Sequence, residues 1–179
     1  MSLLTLGKIV LFINKRYSLW TVKSDNLWKS YIINIYNMEG KIKKYFSIDE
    51  LCYSYTAEKN NIKNIPNKEE LNNLQNLIDE VLQPLRVAYN KPIIISSGFR
   101  CAELNKLLGG KPNSQHLRGQ AADIVPKDID DLDILFELCK NLSSFDQLLY
   151  EKSKNKKWIH ISYKDLIYNR NQVIDNYLV

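Results

Sequence analysis

The chain has 179 residues and two histidines, and each histidine sits in an unusual setting. His116 and Asp123 stand seven residues apart around Gly119, within Ser114-Gln115-His116-Leu117-Arg118-Gly119-Gln120-Ala121-Ala122-Asp123. His160 lies in Trp158-Ile159-His160-Ile161-Ser162. Two neutral imidazole nitrogens and one carboxylate oxygen form a three-ligand zinc set, and such a set leaves the fourth tetrahedral position open for water. Either histidine alone would more often be a surface residue or a hydrogen-bonded core residue. The combination with Gly119 and Asp123 instead points to Zn2+ held by His116, Asp123 and His160.

These side chains need rigid elements to aim them. Ala121 to Val125 reads as a strand, as do Gln147 to Glu151 and Trp158 to Tyr163. Residues two apart on a strand share a face, so His160 shares one with Trp158 and Ser162 while Ile159 and Ile161 turn to the core. If Glu151 pairs with Trp158 across the six-residue loop between them, it lies on the ligand face, diagonal to His160. Glu151 is then a candidate general base for water; the competing reading is an ion pair with a loop lysine. Arg100 follows the strand end at Ser97-Gly98-Phe99, and its guanidinium suits a substrate carboxylate or a developing oxyanion. An ordinary surface arginine is the alternative there. Ser114 and Gln115 can exchange hydrogen bonds with a peptide substrate, whereas Arg118 reads as structural.

The remaining signals belong to the scaffold. Ser47-Ile48-Asp49-Glu50 has the form of a capping box that opens a short helix through about Tyr53. Asn67 caps a longer helix, with Leu71, Leu74, Leu77, Ile78, Val81, Leu82 and Leu85 as its apolar stripe. Pro84 falls inside that pattern and should kink or split the helix. Lys91 to Ser97 reads as a buried strand, Ala102 to Leu108 as a helix ended by Gly109-Gly110, and Ile129 to Asn141 as another helix. Helices come first and strands gather late, which predicts an α+β domain with a small antiparallel sheet and helices packed on it.

The length suits one domain with a real core. Residues 1–37 differ in character from the rest and are expected to form an extension, and Met38 is an alternative natural start. The three cysteines, Cys52, Cys101 and Cys139, lack CxxC spacing and read as buried thiols in a reducing compartment. The net charge of +5 is modest, and its runs, Lys41-Ile42-Lys43-Lys44 and Lys152 to Lys157, suit solvated loops. Nucleic-acid binding would rest on those runs alone and is not expected. No stretch approaches the ~20 apolar residues of a membrane span. Leu3 to Ile13 lacks the basic start and cleavage site of a signal peptide, so synthesis in the cytoplasm is expected.

Beyond these readings, Ser96-Ser97-Gly98-Phe99-Arg100, Leu104-Asn105, Gly109-Gly110, Ser114 to Asp123 and Trp158-Ile159-His160 carry a resemblance. Together they resemble the zinc D-alanyl-D-alanine carboxypeptidase family, which includes phage endolysins and vancomycin-resistance dipeptidases and is related to the hedgehog fold. The likeness runs from about Tyr45 to Tyr163 and includes Phe46 to Leu51. It implies that residues 38–179 form a zinc metallopeptidase domain with a short C-terminal tail. It also implies hydrolysis of peptidoglycan stem peptides, by a monomer acting at the cell wall or periplasm without stable membrane insertion. Many members carry an acid three residues before the last histidine, where this chain has Lys157. Glu151 is the candidate to replace it, and Asp146 is a weaker one. A zinc-containing wall-binding module without catalysis is the alternative that Lys157 raises.

Overall fold

The computed structural model describes residues 44–142 and 144–178, so the expected extension over residues 1–37 and the stretch Leu3 to Ile13 lie outside the described residues. Helix α1 (Ile48–Cys52) starts where Ser47 Oγ accepts from the Glu50 amide, and α2 (Tyr55–Lys59) starts in the same way from Ser54. Helix α3 (Lys68–Leu77) opens with a full capping box: Asn67 Oδ1 accepts from the amides of Glu69 and Glu70, and the Glu70 carboxylate accepts from the Asn67 amide. Each such cap satisfies amides that the first helical turn leaves without partners.

Pro84 does split the long helix. A π-turn (Ile78–Leu82) separates α3 from α4 (Gln83–Tyr89), with Pro84 in the first turn of α4. Proline has no N–H to give to the carbonyl four residues earlier, and its ring crowds that carbonyl, so the wider π-turn absorbs the mismatch. The stripe still works as one surface, because Leu74, Leu77, Val81, Leu82 and Leu85 are fully buried. Leu71, the first residue of the expected stripe, is exposed instead.

The sheet has five strands in the order β1 (Ile93–Ser97), β2 (Ala121–Pro126), β4 (Lys156–Ser162), β3 (Gln147–Ser153), β5 (Gln172–Leu178). Helix α5 (Ala102–Leu107) and a 3-10 turn (Gln115–Arg118) link β1 to β2, and α6 (Leu132–Leu142) follows a 3-10 turn (Ile129–Asp131). Helices α3, α4 and α6 bury one face of the sheet in a core that includes Ile124, Leu135, Phe136, Leu148, Ile159 and Ile161. The architecture is α+β, as expected.

Two details of the sheet differ from the sequence expectation. The basic stretch between Glu151 and Trp158 is mostly strand, since pairing continues to Ser153 opposite Lys156 and leaves only Lys154 and Asn155 in the turn. The expected C-terminal tail forms β5, which runs parallel to β3, whereas the other pairs are antiparallel. Asp175 and Asn176 interrupt the apolar alternation of that segment, so the strand signal is weak there. Cysteine burial is also uneven, because Cys139 is buried but Cys52 and Cys101 are only half-buried; all three are free thiols.

Candidate metal centre

Cross-strand register brings the first two candidate ligands together. Asp123 on β2 pairs with His160 on β4, and on its other side Asp123 pairs with Ser97 on β1. Directly opposed residues on one face hold their Cβ atoms about 5 Å apart, within reach of a shared ion. The neighbours Ala122, Ile124, Ile159 and Ile161 are fully buried on the helix side, which locks the rotation of both strands.

His116 arrives from the 3-10 turn rather than from the sheet. Gly119 ends that turn at φ 66, and a Cβ there would stand 2.5 Å from the carbonyl oxygen of Glu70, so glycine meets both a conformational and a steric need. Asn73 Nδ2 on α3 donates to the Arg118 carbonyl at 2.8 Å and pins the same turn. The imidazole is aimed by Gly98, whose carbonyl lies 2.7 Å from His116 Nδ1. That carbonyl fixes the tautomer: Nδ1 carries the proton and donates it, leaving the Nε2 lone pair free for a metal.

Three ligand atoms then converge. His116 Nε2 lies 3.2 Å from Asp123 Oδ1 and 3.2 Å from His160 Nδ1, and His160 Nδ1 lies 3.0 Å from Asp123 Oδ1. Ligands about 2.0–2.1 Å from a tetrahedral zinc are separated by roughly 3.3 Å, so the triangle fits such an ion closely. Among the described residues this is the one group of three or more potential ligands that can close on an ion. All three residues are buried. Burial drives the His116 imidazole toward its neutral form despite Asp123, and the charges of Arg100 and His160 push the same way. Burial alone would raise the Asp123 carboxyl, but His116 and then His160 hold it well below the usual carboxylate range. A neutral imidazole beside a buried carboxylate presents acceptors to acceptors, an arrangement that a cation relieves.

Arg100 is held beside this cluster, with Nε donating to Ser97 Oγ at 2.8 Å and Nη2 to Asp123 Oδ2 at 2.6 Å. Its amide also donates to the His116 carbonyl at 3.1 Å, so the turn and the strand end move as one unit. Glu151 does pair with Trp158 and shares the face of His160. Burial pushes the Glu151 carboxyl up, and the Asp123 charge adds to this, while His160, Trp158 and Arg100 pull it partway back. Trp158 Nε1 is buried with no partner at hydrogen-bonding geometry among the described residues, yet it lies close enough to Glu151 to be felt.

The other sequence candidates fall in different places. Ser114 Oγ accepts from the His116 amide at 3.4 Å, and Gln115 is buried with Nε2 donating to Asp146 Oδ2 at 3.0 Å. Asp146 is itself fully buried and takes further bonds from Arg170 and Lys164, so it anchors the turn rather than facing the ligands. Arg118 is exposed and bonds to Gln120 and the Asn113 carbonyl. Lys157 is exposed and, being three residues from His160, alternates to the opposite face of β4. The Gly98 carbonyl and the Asp146 anchor were not legible as site features, because both depend on contacts between segments far apart in sequence.

A family model described as Peptidase M15 matches residues 44–162. The chain belongs to the Peptidase M15 family. The M15 match contains all three candidate ligands, Arg100 and Glu151, and it ends at the last residue of β4. M15 peptidases are metal-dependent, and in this M15 domain His116, Asp123 and His160 are the residues able to hold the metal. Among curated proteins no match to the chain is found. No helix among the described residues is long and apolar enough to cross a membrane.

Proposed function

We propose that the chain is a zinc-dependent peptidase that hydrolyses peptide bonds in the stem peptides of bacterial peptidoglycan, as a carboxypeptidase or an endopeptidase. The observation that carries this reading is the converging triangle of His116 Nε2, Asp123 Oδ1 and His160 Nδ1, with its 3.0–3.2 Å edges. Zinc in such a site supplies a Lewis acid that makes water nucleophilic near neutral pH and polarises a carbonyl. Glu151 takes a proton from the attacking water and delivers it to the leaving nitrogen. Its raised pKa suits both halves of that task, since an acid–base group works best near the operating pH. Arg100 spends two donors on Ser97 and Asp123, and the rest of its guanidinium is available to the substrate oxyanion or a carboxylate. Ser114, half-buried beside His116, is placed to meet the peptide, whereas Gln115 is buried on Asp146 and holds the turn instead of touching substrate.

The reading as a non-catalytic zinc module draws on Lys157. Strand alternation turns Lys157 away from His160 and turns Glu151 toward it, so a lysine at that position costs the site no base. Replacement of Glu151 by Gln separates the two readings. The peptidase reading expects kcat on D-alanine-terminated muropeptides to fall by about 10²–10⁴ while zinc content stays that of wild type. A wild-type protein that binds wall fragments but releases no product would favour the module.

A further inference from the structure

The wall of the site on the Glu151 side is built partly from chain beyond the family match. Trp158, Glu151 and Tyr177 are neighbours across β4, β3 and β5, so Tyr177 extends the face that carries His160. Lys111 reaches this row from the loop after α5. Its Nζ donates to Tyr177 Oη at 2.6 Å and stands 5.3 Å from the centre of the tyrosine ring. The loop is fixed at its backbone, because the Lys111 carbonyl accepts from Asn105 Nδ2 and from the Ser114 amide, both at 3.0 Å. The Glu151 carboxylate lies close enough for its charge to act on Lys111.

Arg100 and Lys111 therefore differ. Arg100 is in contact with Asp123, which offsets its charge. Lys111 is exposed and donates to a phenol oxygen rather than to a carboxylate, so its charge remains available to an incoming anion.

Hydrolysis constrains where a substrate anion can sit. The water oxygen bonds to the carbonyl carbon, the C–N bond breaks, and the proton taken by Glu151 goes to the leaving nitrogen. When the leaving group is one amino acid, its carboxylate carbon is two bonds from that nitrogen, and so falls beside the group that protonates it. At an internal bond an uncharged amide occupies the same place.

We propose that Lys111, held by Tyr177, is a subsite for the free C-terminal carboxylate of the substrate, so that the site releases single C-terminal amino acids from peptidoglycan peptides. This rests on the peptidase reading and selects the carboxypeptidase within it. The test is calorimetric binding of two N-acetylated peptides ending in D-alanyl-D-alanine, one with a free carboxylate and one with a carboxamide. The titrated protein is the zinc-loaded full chain carrying Glu151→Gln, which allows binding to be read without turnover. The free acid should bind about fivefold more tightly than the amide, as a partly solvated ion pair allows. Adding Lys111→Gln should erase that preference without weakening the amide, Lys111→Arg should restore it, and Tyr177→Phe should reduce it roughly by half. Equal binding of acid and amide overturns the subsite alone, as does an equal loss on both peptides in Lys111→Gln. No binding of either peptide overturns the peptidase reading together with the subsite.

Discussion

The two faces of the sheet draw on the same strands and do opposite work. On the helix side Ile124, Leu148, Ile159 and Ile161 are fully buried among apolar side chains. On the other side the alternate residues Asp123, His160, Ser162 and Glu151 form a polar surface. The difference shows how a short domain can aim a set of candidate ligands: Asp123 on β2 and His160 on β4 are each flanked by side chains that the core holds in place. The candidate ligand that lacks this support, His116 on a 3-10 turn, is steadied by the Gly98 carbonyl and the Asn73 and Asp146 contacts instead.

Substitutions at neighbouring residues on β4 should separate the two faces. His160→Ala should abolish metal binding and peptidase activity while leaving most of the metal-free stability intact. Ile159→Ala should do the reverse, costing about 2–5 kcal/mol of stability through the cavity it opens while retaining metal wherever the protein stays folded. Thermal unfolding and metal analysis of the two variants, run side by side, check both halves. Equal stability losses would mean that the faces are not separable.

Next in size is Gly98→Ala, which touches the turn ligand. An added Cβ would stand 2.1 Å from the Leu51 carbonyl oxygen, and the other near atoms are also Leu51 backbone, so neither side can easily give way. The Phe99 amide donates to that same oxygen at 2.7 Å. The expected cost is about 3 kcal/mol, with a further loss of metal affinity as the carbonyl that orients His116 shifts. Chemical denaturation with and without zinc would read both. An undisturbed affinity would show that His116 is held by its own turn.

The smallest effect is a pH dependence at the end of the site. Burial opposes the charge on Asp146, but its bonds to Arg170 and Lys164 bring the carboxyl down to about 2. A free aspartate titrates near ~3.9, so the folded state favours the ionised form. This contribution is present above about pH 4 and is lost as pH falls toward 2. Acid unfolding of Asp146→Asn should therefore start from a lower stability and show a shallower slope in that window than wild type.

Much of this scheme could be read from residue order, and the missing parts share a cause. The grouping of His116, Asp123 and His160 was legible because their donor chemistry is rare in a chain with two histidines, and strand alternation was enough to bring Glu151 to the same face. The strands β1 to β4 and helix α3 were legible from period and capping. The strand β5, and with it Tyr177 beside Glu151, was not, because a parallel edge strand is specified by a partner rather than by its own pattern. Asp146 looked like a spare acid from its position near Glu151. Its burial under Arg170 and Lys164 depends on how the segment after β4 folds back, and no local spacing encodes that.

A zinc titration of the metal-free full chain reads directly whether the buried His116, Asp123 and His160 form one metal site. One tightly bound zinc per chain is expected in the wild type and none in His116→Ala, with both proteins folded by circular dichroism. A His116→Ala protein that binds zinc as tightly as wild type would contradict it.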